Sequence, residues 1–155
     1  MAIKKRVTVT VSLDQTRIAP ETEDDGEFKD EKFETVTVCD GTLRVYGGKI
    51  EIIYDEDSMT ELIGCEVRLS FPLKEPGRVT MLRDGLVRTV LMFCEGERYL
   101  SVYETEYGSF ELGVVTEKCE NNVTADGGEM RIIYTVELRG TRAERNDITI
   151  NIRTV

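Results

Sequence analysis

The chain has 155 residues, with 20 lysines and arginines against 30 aspartates and glutamates, which gives a formal net charge of −10. Such an acidic protein repels phosphate backbones and anionic lipid surfaces, so nucleic acid and membranes are not expected as partners. Its hydrophobic fraction of 40% argues against a disordered chain, and its length fits a single domain over residues 1–155 with a core of its own.

The first regular segment runs from Ile3 to Leu13, where valines alternate with threonines and a serine. This pattern predicts a strand with one apolar face. Because no apolar run follows the basic residues at its start, we interpret it as a strand rather than a signal peptide and expect the protein in the cytoplasm. The next segment, Gln15 to Glu31, is acidic at its centre. It lacks the ligand spacing of an EF-hand loop, so we predict a solvated connection.

Short alternating segments separated by turn residues occupy the rest of the chain. Asp40-Gly41 predicts a kink or bulge between two strand segments, and Gly47-Gly48 predicts a two-residue turn. Asp84-Gly85 and Glu95-Gly96 predict further tight turns, and only residues 58–62 suggest a turn of helix. The predicted strands after the first are Phe33–Cys39, Leu43–Tyr46, Lys49–Asp55, Leu62–Phe71, Val79–Arg83, Leu86–Cys94, Glu97–Glu104, Tyr107–Lys118, Met130–Leu138 and a last one carrying Ile148, Ile150 and Ile152.

The strongest alternation lies in Tyr107–Lys118 and Met130–Leu138, each of which has one apolar and one mostly polar face. Two such strands need a shared core. With the other segments they make roughly ten strands joined by tight turns, which predicts an all-β, antiparallel, up-and-down order. A sandwich fits this count as well. A single closed barrel of roughly 8–10 strands is favoured, because closure leaves no exposed edges.

Several kinds of chemistry are disfavoured by composition. The chain has no histidine, which removes Ser-His-Asp and Cys-His catalysis and imidazole metal ligation. Cys39, Cys65, Cys94 and Cys119 are too far apart in sequence to pair as zinc ligands, so we expect reduced, mostly packed thiols and no metal or cofactor. Chance carboxylate pairs are expected among this many acids, so an enzyme is the least favoured class.

Short pieces of sequence between residues 3 and 153 stand in a characteristic order and spacing. They are Gly41, Ile52–Glu56, Val79, Arg83–Gly85, Met92–Phe93, Gly96, Tyr103–Phe110, Thr116, Gly127–Gly128, Tyr134 and Asn146–Ile150. In these pieces the chain resembles the YwiB-like family of uncharacterised bacterial proteins, calycin-type β-barrels related in shape to lipocalins. The resemblance implies a calycin-like barrel of bacterial origin and implies no activity. The acidic segment 15–31 has no firm match in that family.

Five residues make a candidate binding site. Tyr54, Tyr103 and Tyr134 fall on the apolar faces of their strands, and inward phenols need hydrogen-bond partners, which suits a partly polar cavity. The alternative is that each hydroxyl reaches water at the barrel rim. Arg83, at a strand end, would either receive a ligand carboxylate or pair with a surface acid. Thr116 occupies a position where the apolar face favours valine.

Two functions remain open from the sequence. The first is a non-enzymatic module that binds a small apolar or amphipathic molecule inside the barrel, since a barrel of this size is just wide enough to do so. The alternative is a structural or protein-interaction module with a filled core, acting through an outer face or through self-association as a homodimer. A bound small molecule would favour the first, and a concentration-dependent mass would favour the second.

Overall fold

The computed structural model describes residues 2–18, 30–56, 65–85 and 88–155, and these residues form ten β-strands and no helix. The strands are β1 (Ile3–Arg17), β2 (Glu31–Tyr46), β3 (Lys49–Glu56), β4 (Cys65–Pro72), β5 (Val79–Asp84), β6 (Arg88–Phe93), β7 (Arg98–Thr105), β8 (Gly108–Asn121), β9 (Gly127–Leu138) and β10 (Thr141–Thr154). Within this part of the chain no helix is long and apolar enough to cross a membrane.

Every strand pairs antiparallel with its neighbours in sequence, and β1 pairs with β10 to close the barrel. This confirms the predicted all-β, up-and-down closed barrel. The odd-numbered strands run toward one end, where the even-numbered strands begin. We call this the distal end; both chain termini lie toward the other, proximal end.

Inward side chains from nine of the ten strands fill the barrel, because apolar residues recur at every second position. The largest fully buried ones are Tyr54, Phe71, Phe93, Leu43, Ile50, Ile52, Leu69, Met81, Met130, Ile132, Ile148 and Ile150. Burial of each such side chain contributes about 1.5–3 kcal/mol to folding. Strand β7 is the exception, since its buried inward residue is Ser101.

The predicted kink at Asp40-Gly41 is wrong. Strand β2 runs through both residues, and its pairing with β1 keeps one register throughout. Glycine is needed at position 41 for a different reason. A Cβ atom there would lie 2.8 Å from the Ile53 carbonyl oxygen and 3.0 Å from Val9 Cγ2, so β2 and β3 could not approach as closely.

Other boundaries also differ from the sequence expectation. Gln15 lies inside β1, so the first connection starts later than predicted. The acidic centre of that connection, the helical turn suggested at 58–62 and the predicted strand starts at 62 and 86 lie outside the described residues. Cys39 is buried, and Cys65, Cys94 and Cys119 are half-buried free thiols.

Two places in the barrel wall have incomplete pairing among the described residues. Strand β2 pairs with β1 along its whole length, but with β3 only from Gly41 onward. Its distal half, Glu31–Asp40, therefore has a described neighbour on one side only. Strands β6 and β7 are registered at two positions near the distal end, fewer than any other neighbouring pair. There the Ser101 hydroxyl also donates to the Val90 carbonyl oxygen.

Candidate binding site at the distal end of the barrel

A row of paired residues crosses four strand boundaries near the distal end. Tyr54 pairs with Val67, Val67 with Arg83, Arg83 with Thr89 and Thr89 with Tyr103. Directly paired residues of antiparallel strands point to the same face. Because Val67 and Thr89 are buried, the whole row faces the interior. Three of the five predicted site residues thus share one interior row.

A second interior row crosses from β8 to β1. Thr116 pairs with Tyr134, Tyr134 with Asn146 and Asn146 with Gln15. Thr116 and Asn146 are each only 1% exposed. Gln15 Nε2 donates to Asn146 Oδ1 at 2.9 Å, and Asn146 Nδ2 donates to Glu144 Oε1 at 3.2 Å. This row therefore adds the buried Asn146, the half-buried Gln15 and the Glu144 carboxylate to the predicted Thr116 and Tyr134.

The charge of Arg83 acts on one tyrosine in each row, Tyr54 in the first and Tyr134 in the second. Arg83 Nη2 donates to Glu56 Oε1 at 3.1 Å. Burial raises the pKa of Tyr54 well above its ordinary range and that of Tyr134 to about 12, while the Arg83 charge opposes both shifts. Burial lowers the pKa of Arg83, but Glu56 and then the two tyrosines outweigh this, and the net shift is upward. At neutral pH the group consists of the Arg83 cation, its ion-pair partner Glu56 and two neutral phenols.

Three buried interior polar atoms have no hydrogen-bond partner within the described part of the chain. Tyr54 Oη and Arg83 Nε lie in the first row of this distal layer, whereas Thr116 Oγ1 lies near the β6–β7 turn, because the Thr116 N–H donates to the Glu97 carbonyl oxygen and the Thr116 carbonyl accepts from the Gly96 N–H. Buried polar groups are normally paired, so these atoms are exceptions that ask for a reason. Arg83 Nε can only donate, and both hydroxyls can donate as well. The layer is therefore suited to a group rich in acceptor oxygens.

The floor under this distal layer is apolar. The Tyr134 ring packs against Phe93, with ring centroids 4.6 Å apart and planes inclined at 51°. Phe93 is fully buried, as are Met81 and Ile132. Because side chains fill this part of the interior, we place the candidate site at the distal end rather than deep in the barrel.

Tyr103 belongs to the first interior row but is not among the residues that shift the pKa of Arg83. It is partly buried against the core and lines an open groove of about 750 Å³ that extends across β7, β8 and β9. Phe110 and Leu138 give this groove an apolar wall. Arg98 and Glu137 give it a polar one, and Arg98 Nε donates to Glu137 Oε1 at 2.8 Å.

Sequence reasoning missed four residues of the distal layer. Asn146 and Glu56 could have been found, because they share the inward parity of Ile148 and Tyr54 in their strands. Gln15 was placed in a loop because it follows the last apolar residue of its strand. Glu144 also shares the parity of Asn146 and Ile148, since the register shift of β10 lies before it, between Arg142 and Glu144.

The fold and this layer define a class: a small up-and-down β-barrel with a filled apolar interior and a polar, incompletely paired layer at one end. The chain belongs to the family described as a domain of unknown function (DUF1934), whose model matches residues 18–150. The match confirms the resemblance to the YwiB-like family.

A solved structure gives the same picture of the fold. The chain is similar to the YwiB protein from Bacillus subtilis, known from a crystal structure, at 20% sequence identity over 98% of this chain and 93% of that one, with a TM-score of 0.71. At this identity the likeness shows the fold alone. A comparison with curated proteins gives no match.

Proposed function

We propose that the protein is a calycin-like, non-enzymatic binding module that holds the acceptor head group of a small amphipathic molecule in its distal layer. The observation that carries the proposal is the pair of buried atoms without partners in the first row, Tyr54 Oη and Arg83 Nε. Each unpaired group costs about 1–3 kcal/mol. A ligand oxygen that accepts from them would offset part of that cost and would be held in a fixed orientation.

The groove beside the layer supports an amphipathic rather than a purely polar ligand. Tyr103 lines the groove and lies two strands from Arg83 in the interior row. At a strand spacing of about 4.8 Å, the two backbones are about 10 Å apart. A short alkyl chain is long enough to cover this distance. Phe110 and Leu138 supply the apolar contacts that such a chain needs.

Three ligands with the same alkyl chain and different head groups test the proposal. Octanoate and octanamide present acceptor oxygens, whereas octylammonium presents donors only. We expect the first two to raise the melting temperature and to form complexes in native mass spectrometry. Octylammonium offers no acceptor to Arg83 Nε. The Glu56 and Glu144 carboxylates already accept from Arg83, Gln15 and Asn146, so octylammonium should do neither. Binding of all three alike would mean that only the alkyl chain is recognised.

Two substitutions locate the binding. Tyr134→Phe should leave the barrel folded but weaken the octanoate response, because it removes a buried phenol from the distal layer. Tyr107→Phe is the matched control, since Tyr107 is 87% exposed in the turn before β8. Identical octanoate responses for both variants would show that Tyr134 serves packing alone.

A second candidate function is a structural or protein-interaction module, and one observation favours it. Four large apolar side chains face outward on the adjacent strands β6 and β7, namely Val90, Met92, Leu100 and Val102, and each is 37% to 60% exposed. Contiguous exposed apolar surface often marks a contact with another protein. In this reading the filled core needs no ligand, and none of the three octyl compounds would bind.

A further inference from the structure

A group of basic side chains lies on the outer wall of the barrel, toward its proximal end. Each points outward, because it alternates along its strand with interior residues such as Val7 on β1, Leu43 on β2 and Ile50 on β3. The group spans the adjacent strands β10, β1, β2, β3 and β4, and we call it the basic face. Its six members are Lys4, Arg6, Arg44, Lys49, Arg68 and Arg153.

The basic face is short of acidic partners, although the whole chain has a formal net charge of −10. Four of its members make no ion pair within the described part of the chain, namely Lys4, Arg6, Lys49 and Arg153. Outward arginines on other strands are paired, as Arg131 is with Asp147 at 2.7 Å. Four cations therefore share one surface without a carboxylate of their own.

The carboxylate at the centre of the basic face is turned away from solvent. Glu51 is only 3% exposed; it accepts from the Tyr46 hydroxyl at 3.1 Å and lies 3.4 Å from Arg44 Nη1 and 3.8 Å from Arg68 Nη1. The Arg44 guanidinium carbon lies 4.8 Å from the centroid of the Tyr46 ring, and Lys49 Nζ lies 4.9 Å from the same centroid. These contacts hold three of the cations in position, so an anion could bind with little loss of side-chain freedom.

One contact within the basic face is unfavourable. Lys4 lies directly opposite Arg44 across β1 and β2. Like charges at directly opposed positions destabilise a strand pair. Glu51 offsets this repulsion for Arg44 but lies one strand further from Lys4. An anion bound above Lys4 and Arg44 would relieve it.

The basic face is accessible to a partner. Lys4, Arg6 and Arg153 are exposed, and the side chains of Arg44 and Arg68 are half-exposed. The internal ranges that the structure does not describe follow β1, β3 and β5 at their distal ends. The basic face lies toward the proximal end, where the described residues are continuous from each strand to the next.

We propose that the basic face binds a short acidic segment of another protein, which crosses β10, β1, β2, β3 and β4 in an extended conformation. Four strand spacings of about 4.8 Å give a width of about 19 Å. About six residues of extended chain, at about 3.3 Å each, cover that width. The partner is a short segment because a longer polyanion, such as nucleic acid, would reach past the basic face into the field of an acidic protein.

Fluorescence anisotropy of dye-labelled peptides in low salt tests the proposal. We expect hexaglutamate to bind and hexaglutamine to remain free. The affinity should fall as salt is added, because exposed charges are screened over about 10 Å at 0.1 M ionic strength. Hexaglutamate that does not bind at protein concentrations up to about 1 mM would overturn the proposal. A six-residue oligothymidylate that binds in place of hexaglutamate would also overturn it, in favour of nucleic acid.

Charge reversals locate the binding. Arg6→Glu and Arg153→Glu should each raise the dissociation constant for hexaglutamate at least about threefold, because each replaces an attraction by a repulsion. Arg142→Glu is the matched control, since it makes the same change in net charge at an exposed arginine near the distal end of β10. It should leave the dissociation constant unchanged, and circular dichroism checks that every variant is folded.

The control decides between a local and a general effect of charge. Equal weakening by Arg142→Glu and Arg6→Glu would mean that hexaglutamate responds to net charge alone, and the proposal would be overturned. Tyr134→Phe should bind hexaglutamate as wild type does while its octanoate response weakens. The basic face and the distal layer are therefore tested independently.

Discussion

Tyr54→Phe removes a single hydroxyl from the distal layer and leaves the ring in place. The hydroxyl oxygen is buried and has no partner among the described residues, and the side chain is 2% exposed. An unpaired buried hydroxyl costs about 1–3 kcal/mol relative to water. Its removal should therefore raise the free energy of unfolding of the ligand-free protein by about 1 kcal/mol. For a domain of this size that corresponds to a rise in melting temperature of about 3 °C.

Tyr46→Phe is a control with the opposite expected sign. The Tyr46 hydroxyl donates to Glu51 Oε2 at 3.1 Å, and Glu51 is only 3% exposed although it lies on the outer wall. Without that donor, Glu51 keeps Arg44 at 3.4 Å and Arg68 at 3.8 Å. Loss of one partner of a buried charged group should lower the free energy of unfolding by about 1–3 kcal/mol.

Equilibrium urea unfolding of wild type and both variants measures these differences, provided that the dependence on urea concentration is equal in all three proteins. The same Tyr54→Phe variant should also lose affinity for octanoate, so it would gain stability and lose binding together. If Tyr54→Phe destabilised the protein as much as Tyr46→Phe, its hydroxyl would have a partner. The argument for an acceptor-binding layer would then fail.

Three further predictions concern pH and close packing. Arg131 donates two hydrogen bonds to Asp147, and this lowers the pKa of the Asp147 carboxyl from 3.8. The stability that the ion pair confers is therefore lost as the pH falls below about 4. Asp147→Asn should make stability, measured by urea unfolding, less dependent on pH in this acid range. Burial raises the pKa of Tyr134 from 10.0 to about 12, so stability should fall between these two pH values, and Tyr134→Phe should reduce that fall in an alkaline titration. Gly41→Ala should cost about 1–3 kcal/mol in thermal unfolding, because its Cβ would meet the Ile53 carbonyl oxygen at 2.8 Å; an unchanged melting temperature would contradict that contact.

The period-two pattern was enough to predict most of the barrel. In Met130–Leu138 the inward residues can be read from the alternation alone, and the structure buries Met130, Ile132, Tyr134 and Val136. The same parity predicts Tyr54 and Tyr103 on the apolar faces of their strands, and both lie in the first interior row. Alternation is a local property, so it survives whatever the neighbouring strands do.

The parts that could not be predicted depend on register between strands. Asp40-Gly41 suggested a kink because glycine often marks one, but here it permits close contact with β3. The point at which β3 leaves β2 is set by the pairing of β3 with β4, which is not encoded in either segment alone. The register shift between Arg142 and Glu144 is likewise a property of the pairing of β10 with β9.

Strands β6 and β7 are paired at only two positions, and this affects where the native barrel opens locally. Local opening is easiest where few backbone hydrogen bonds must break, and here the register extends over Arg88–Glu104 and Thr89–Tyr103 only. The barrel wall should therefore open between β6 and β7 while the other strand pairs remain closed. Native-state hydrogen exchange should find the amides of Val90 and Met92, which face β7, exchanging well before those of β9. Such an opening would briefly uncover Phe93, the apolar floor on which the Tyr134 ring rests.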